Sequence, residues 1–280
     1  MKHILYLHIW LSLIAGLLTF ESALIFSDMP INIHIASFSG FATLFAYNAH
    51  TLLALCSKKK TTELTIWAKK NLAWVIVFTL IGLAGSIIVG IIGFAPREWV
   101  VLILAGMLWF AYENYIARSN SNKLIVTKRR SFIKSIVLAF VWTIITSILP
   151  LIVDRPIELM NTNRLLFIGI RFCLFACITQ LFEYRDIFEN LKKNGNLVLD
   201  EKKVRFSNLT LLCAIFLSAI VIQLIFIETS MLFVSVTLVQ ILALIFFIRI
   251  KNVITIAPSM IIWDGILILS PLITIPAYYL

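Results

Sequence analysis

Charge is scarce in this sequence. Only 14% of its 280 residues are charged, and acids are the rarer kind, with 14 Asp and Glu against 24 Lys and Arg. A soluble domain averages about 25% charged and about 45–50% apolar; here 61% is hydrophobic, too much apolar surface for one water-facing core. No low-complexity segment and no soluble domain stands between the apolar blocks. Cysteine is sparse too. Cys56, Cys173, Cys177 and Cys213 make no disulfide framework, and Cys173 with Cys177, one helical turn apart in an apolar run, reads as small soft side chains packed between helices. The N-terminus lacks a small-x-small cleavage site. Its basic end and apolar run 4–26 are too long for a signal-peptide core and read as a retained spanning helix.

The apolar residues fall in blocks of about 20, the length that spans about 30 Å of hydrocarbon. Nine spans are expected, at about 4–26, 31–55, 73–95, 98–117, 132–153, 163–185, 207–228, 229–249 and 254–278, forming a single transmembrane domain over 1–280. The seventh and eighth are nearly continuous, so an eight-span reading is the alternative. Basic residues give the orientation. With the N-terminus inside, the inner segments and the adjoining span ends carry 20 of the 24 Lys and Arg. That placement predicts an integral, multi-pass membrane protein with its N-terminus in the cytoplasm. It also accounts for the net charge of +10 through contact with membrane lipids, without a nucleic-acid partner.

Ionisable groups inside spans are costly and invite a partner or a role. Arg171, within the sixth span, should face the bundle interior and pair, with Glu21 or Asp264 as the candidates. Asn48 and His50 near the end of the second span suit either cation, phosphate or proton handling or hydrogen bonding between helices. Trp142, Thr143, Thr146, Ser147 and Pro150 in the fifth suit either a cavity lining or simple packing.

The densest chemistry lies in residues 180–195, Gln-Leu-Phe-Glu-Tyr-Arg-Asp-Ile-Phe-Glu-Asn-Leu-Lys-Lys-Asn-Gly. Three acids, three bases and two asparagines follow directly on an apolar run. Glu183, Asp186 and Asn190 stand at i, i+3 and i+7, one face of a helix. Oxygen ligands on one face at a membrane surface suit a hard cation such as Mg²⁺, and the cation suits a phosphate.

This stretch resembles the second acidic motif, Asp-x-x-Asp-x-x-x-Asp, of the UbiA superfamily of membrane prenyltransferases, here Glu183, Asp186 and Asn190 followed by Lys192, Lys193 and Gly195. Phe-Ala-Thr-Leu-Phe-Ala-Tyr-Asn, ending at Asn48, resembles the approach to the family's first motif, Asn-Asp-x-x-Asp-x-x-x-Asp. Lys134 and the run from Trp142 to Pro150 resemble its fifth span. At the first motif the expected acids fall on Ala49, Leu52 and Cys56, so only Asn48 matches.

The resemblance implies an all-α membrane protein, nine transmembrane helices around a central lipid-open cavity. It implies transfer of an isoprenoid group from its diphosphate to an acceptor. Glu183, Asp186, Asn190 and Asn48 would hold Mg²⁺, and Lys134, Arg129 and Arg130 would hold the diphosphate. A non-catalytic protein of the same fold that binds a prenyl lipid or quinone is the alternative, motivated by the missing acids. A transporter using Arg171, Glu21 and Asp264 as a buried relay is a third reading.

Overall fold

The computed structural model describes residues 2–26, 33–56, 63–117, 124–154, 162–193 and 256–279, together with 213, 215–217, 220 and 241. The expected spans at 207–228 and 229–249 therefore lie, apart from those few positions, outside the described residues. Everything described is helix or a short connection, and no strand occurs among the described residues.

The helices are α1 (Lys2–Tyr6), α2 (Ile9–Phe26), α3 (Ile33–Cys56), α4 (Glu63–Lys70), α5 (Leu72–Gly93), α6 (Pro96–Ala117), α7 (Leu124–Thr143), α8 (Leu149–Asp154), α9 (Thr162–Lys193) and α10 (Ile256–Tyr279). Among the described residues, three segments are long and apolar enough to cross a membrane: Leu72–Gly93, Phe132–Val153 and Thr162–Glu183. Ile9–Ile25 and Leu267–Pro276 are shorter apolar helices.

Helices and apolar blocks do not coincide. α7 begins at Leu124, well ahead of the apolar block at 132, and α9 continues to Lys193, past its block's end at 185. Lys, Arg and Glu are good helix formers, so hydrogen bonding carries on where hydrophobicity stops. The 56–72 segment likewise contains α4, an amphipathic helix with Thr65 and Ala68 buried and Ile66, Lys69 and Lys70 exposed.

The 4–26 block is also divided. α1 and α2 meet at Leu7–His8, where His8 has φ of 56°, a left-handed conformation that His tolerates better than most side chains. A break of this kind leaves backbone carbonyls without their helical partners. Here Asn48 donates from Nδ2 to the Leu7 carbonyl at 2.8 Å, while the His8 carbonyl keeps its helical partner, the Ser12 N–H at 3.0 Å, and also accepts from Ser12 Oγ at 2.7 Å.

Between α7 and α8 lies one turn of π-helix, Ile144–Ile148, closed by the Leu149 N–H donating to the Ile144 carbonyl. Pro150 follows at once. It has no N–H to give to the Thr146 carbonyl and its ring crowds that position, so the widened turn sits where a regular one would clash.

The principal core joins α2, α7, α9 and α10 through Ile14, Leu18, Ala139, Trp142, Phe175, Cys177 and Leu267, with Phe216 and Ile220 packed in. Cys173 and Cys177 belong to this core. α3 bridges α2 and α5 by close approach. A Cβ on Gly82 of α5 would lie 2.5 Å from the Phe45 nitrogen of α3, so only glycine lets these backbones meet. Small residues at helix contacts are the ordinary means of tight packing in lipid. The opposite face of α5 is apolar and exposed along its length, from Trp74 through Leu80 to Ile91.

Candidate functional site

Two contacts set the frame for the expected site. α7 and α9 run antiparallel: Thr179 donates to the Ser135 carbonyl at 3.0 Å, and the Trp142 and Phe175 rings pack at a tilt with centres 5.5 Å apart. Trp142 also donates from Nε1 to the Tyr47 hydroxyl of α3 at 3.1 Å. α2 and α3 are antiparallel as well, with Gly16 against the Ala36 carbonyl and Asn48 on the Leu7 carbonyl. The C-terminal ends of α3 and α9 and the N-terminal part of α7 thus share one end of the bundle.

At that end Lys134 of α7 forms an ion pair with Glu183 of α9. The lysine side chain is 25% exposed and the carboxylate 15%, so both are partly shielded and still in reach of water. The structure brings these two expected site residues together.

Asp186 and Asn190 lie on the same continuous helix as Glu183, so the i, i+3, i+7 spacing falls on helical backbone. Arg129 and Arg130 lie on α7, one turn and more before Lys134. The side chains of Asp186, Asn190, Arg129 and Arg130 are outside the described residues, as is that of Asp264.

Asn48 is fully buried. Its amide nitrogen is committed to the Leu7 and Leu44 carbonyls, at 2.8 and 2.9 Å, and so holds the α1–α2 break. Its Oδ1 has no hydrogen-bond partner among the described residues. Sequence reasoning left Asn48 between ligand and interhelical hydrogen bond; its donors take the second role and its oxygen is unspent.

Gln180, one turn before Glu183 on α9, was not singled out, although its i−3 spacing from Glu183 put it on the same face. It is buried, and its Oε1 too has no hydrogen-bond partner among the described residues. Buried acceptors left unsatisfied cost about 1–3 kcal/mol each, so such atoms call for a water or a ligand.

The Mg²⁺ implied by the sequence can be tested against this donor set. A hard cation takes oxygen ligands. The Glu183 carboxylate and the unpartnered oxygens of Asn48 and Gln180 are of that kind, and the Lys134 ammonium already supplies a positive charge against Glu183. These donor atoms are of the kind Mg²⁺ takes, and they lie on two helices, α3 and α9. Among the described residues no group of three or more His, Cys, Asp or Glu converges on a metal-sized site.

Two of the three expected acid positions of the first motif, Leu52 and Cys56, lie in surroundings that are apolar apart from one lysine. Leu52 and Cys56 line an open pocket with Leu55, Lys69, Leu72 and Ile76.

Farther along the bundle lies a second ion pair. Arg171 of α9 meets Glu21 of α2, both essentially inaccessible. Glu21 also accepts from Ser270 Oγ of α10 at 2.6 Å, and the guanidinium lies 5.1 Å from the Phe167 ring centre. Arg171 thus finds one of the two partners its sequence position called for and ties α2, α9 and α10 together.

No family model matches this chain, and neither the curated proteins nor the solved structures include a match.

Proposed function

We propose that this chain is a multi-pass membrane protein of UbiA-like architecture, nine helices around a lipid-open cavity, that transfers an isoprenoid group from its diphosphate to an acceptor. The observation that supports this most is the partly exposed Lys134–Glu183 pair, set beside the unpartnered Gln180 oxygen and followed on the same helix by Asp186 and Asn190. The N-terminus and this end of the bundle face the bacterial cytoplasm, where the basic residues concentrate.

In this reading Glu183 and Asp186 hold Mg²⁺, with Asn190 and the Asn48 oxygen as further ligands. Lys134, freed from Glu183, pairs with a diphosphate oxygen together with Arg129 and Arg130. When bound, Mg²⁺ supplies Lewis-acid stabilisation of the departing diphosphate. The allylic C–O bond breaks with its electron pair leaving on the diphosphate, the acceptor bonds to the allylic carbon, and the acceptor's displaced proton passes to water. The protein's own contribution is a positive field aimed at the leaving group and a dry channel for the tail.

The test is turnover of a polyprenyl diphosphate with Mg²⁺ and with EDTA. Glu183→Ala with Asp186→Ala abolishes Mg²⁺-dependent turnover; an active double variant refutes the metal role.

One observation favours a second reading, a non-catalytic prenyl-lipid or quinone binder of the same fold. Leu52 and Cys56, where two of the first motif's acids would stand, line a pocket whose walls are apolar apart from Lys69. Binding of a neutral prenyl lipid that is indifferent to EDTA, with no diphosphate turnover, selects that reading.

A further inference from the structure

The short helix α4 spans the gap between the end of α3 and the start of α5. Leu52, Leu55 and Cys56 of α3, Lys69 of α4, and Leu72 and Ile76 of α5 line an open pocket of about 440 Å³. That volume lies within the range of about 300–1,000 Å³ typical of ligand sites. The lining is apolar except for one cation.

The placement of that cation is informative. Lys69 and the neighbouring Lys70 are exposed and immediately precede a helix that begins at Leu72 and is long and apolar enough to cross a membrane. On the membrane reading, the start of this helix is the boundary of water and hydrocarbon, so Lys69 and Lys70 fall at that boundary and the leucines on its hydrocarbon side. Among the described residues Lys69 has no acidic partner. α4 is also anchored. Ala68 is fully buried, and Trp67 packs edge-on against His3 and Tyr6 with ring centres 5.3 Å apart in both pairs. Trp74, on the first turn of α5, is exposed at the same boundary, where amphipathic aromatic rings settle among headgroups.

A soluble anion would gain nothing from four aliphatic walls, and a neutral hydrocarbon would gain nothing from the lysine. An amphiphile with an anionic head uses both. We propose that this pocket holds one anionic phospholipid, with an acyl chain against Leu52, Leu55, Leu72 and Ile76 and the headgroup phosphate on Lys69. The proposal rests on the membrane reading and is independent of prenyl transfer.

Native mass spectrometry of the full-length protein, equilibrated in mixed micelles of dioleoylphosphatidylglycerol and dioleoylphosphatidylcholine, tests it. The wild type retains one phosphatidylglycerol with about fivefold preference, the effect of a single lysine near a membrane surface. Lys69→Gln, an exposed substitution, brings the preference close to one. Leu55→Trp, which fills the pocket, lowers retention of both lipids. Equal retention of the two lipids by the wild type overturns the proposal, as does unchanged preference in Lys69→Gln. Displacement of the lipid by millimolar inorganic phosphate overturns the acyl-chain part. Loss of Mg²⁺-dependent diphosphate turnover in Glu183→Ala/Asp186→Ala leaves the lipid preference intact, so the two readings fail separately.

Discussion

Among the described residues, two carboxylate–cation pairs join α9 to another helix, and they differ in almost everything except their chemistry. Arg171–Glu21 is sealed: both side chains are essentially inaccessible, and Ser270 takes the remaining carboxylate oxygen. Lys134–Glu183 is open, with a quarter of the lysine exposed. A buried pair loses the hydration of both ions, and removing one partner strands the other. A partly exposed pair is screened by water and contributes little. The first is therefore a fastener between α2, α9 and α10, and the second is a contact that a ligand can open. Position along one helix separates a structural charge from a candidate functional one.

The comparison is broken most easily at Glu21. Glu21→Ala leaves Arg171 buried without its counter-charge and should cost about 3–5 kcal/mol, seen as a large fall in the thermal midpoint in detergent. Replacing both partners by Leu and Met should recover most of that loss. A Glu21→Ala variant as stable as Glu183→Ala would erase the distinction.

Asn48→Leu comes next. It leaves the Leu7 carbonyl at the α1–α2 break unsatisfied, for about 1–3 kcal/mol. If the variant melts with the wild type but loses Mg²⁺-dependent diphosphate binding, Asn48 belongs to the site rather than to the helix break.

Trp142→Phe removes the hydrogen bond to Tyr47 while keeping most of the ring. The expected loss is about 0.5–1.5 kcal/mol, read from denaturation followed by circular dichroism.

The smallest stability effect is expected at the open pair. Lys134→Met should change stability by about 0–1 kcal/mol, yet it uncovers Glu183. Mg²⁺ binding without diphosphate should strengthen in this variant and diphosphate binding should weaken, both measurable by isothermal titration. A Lys134→Met protein that unfolds would place this pair with the sealed one.

Much of this was legible from residue order alone. The helical class followed from the apolar blocks, and Arg171 demanded an acid because an unpaired charge cannot remain in hydrocarbon. The cluster after the sixth apolar block stood out because charge is so rare elsewhere. Other features depend on tertiary contacts that no local pattern encodes. The pairing of Lys134 with Glu183 arises from the antiparallel seam of α7 on α9. The break at His8 has no Gly or Pro to announce it, and it holds because Asn48 reaches across from α3. The spans at 132–153 and 163–185 agree with the apolar segments Phe132–Val153 and Thr162–Glu183; the helices that carry them run on through Lys, Arg and Glu, because hydropathy marks a hydrocarbon boundary and not the end of hydrogen bonding. Gln180 escaped attention because a single amide beside so many charges carries no signal until its burial is known.

The most direct measurement is binding of a polyprenyl diphosphate to the purified protein by isothermal titration, with Mg²⁺ and with EDTA, for wild type and Glu183→Ala/Asp186→Ala. Binding that requires Mg²⁺ in the wild type and vanishes in a double variant of unchanged thermal midpoint is the predicted result. Equal binding by both proteins, or binding untouched by EDTA, would contradict it.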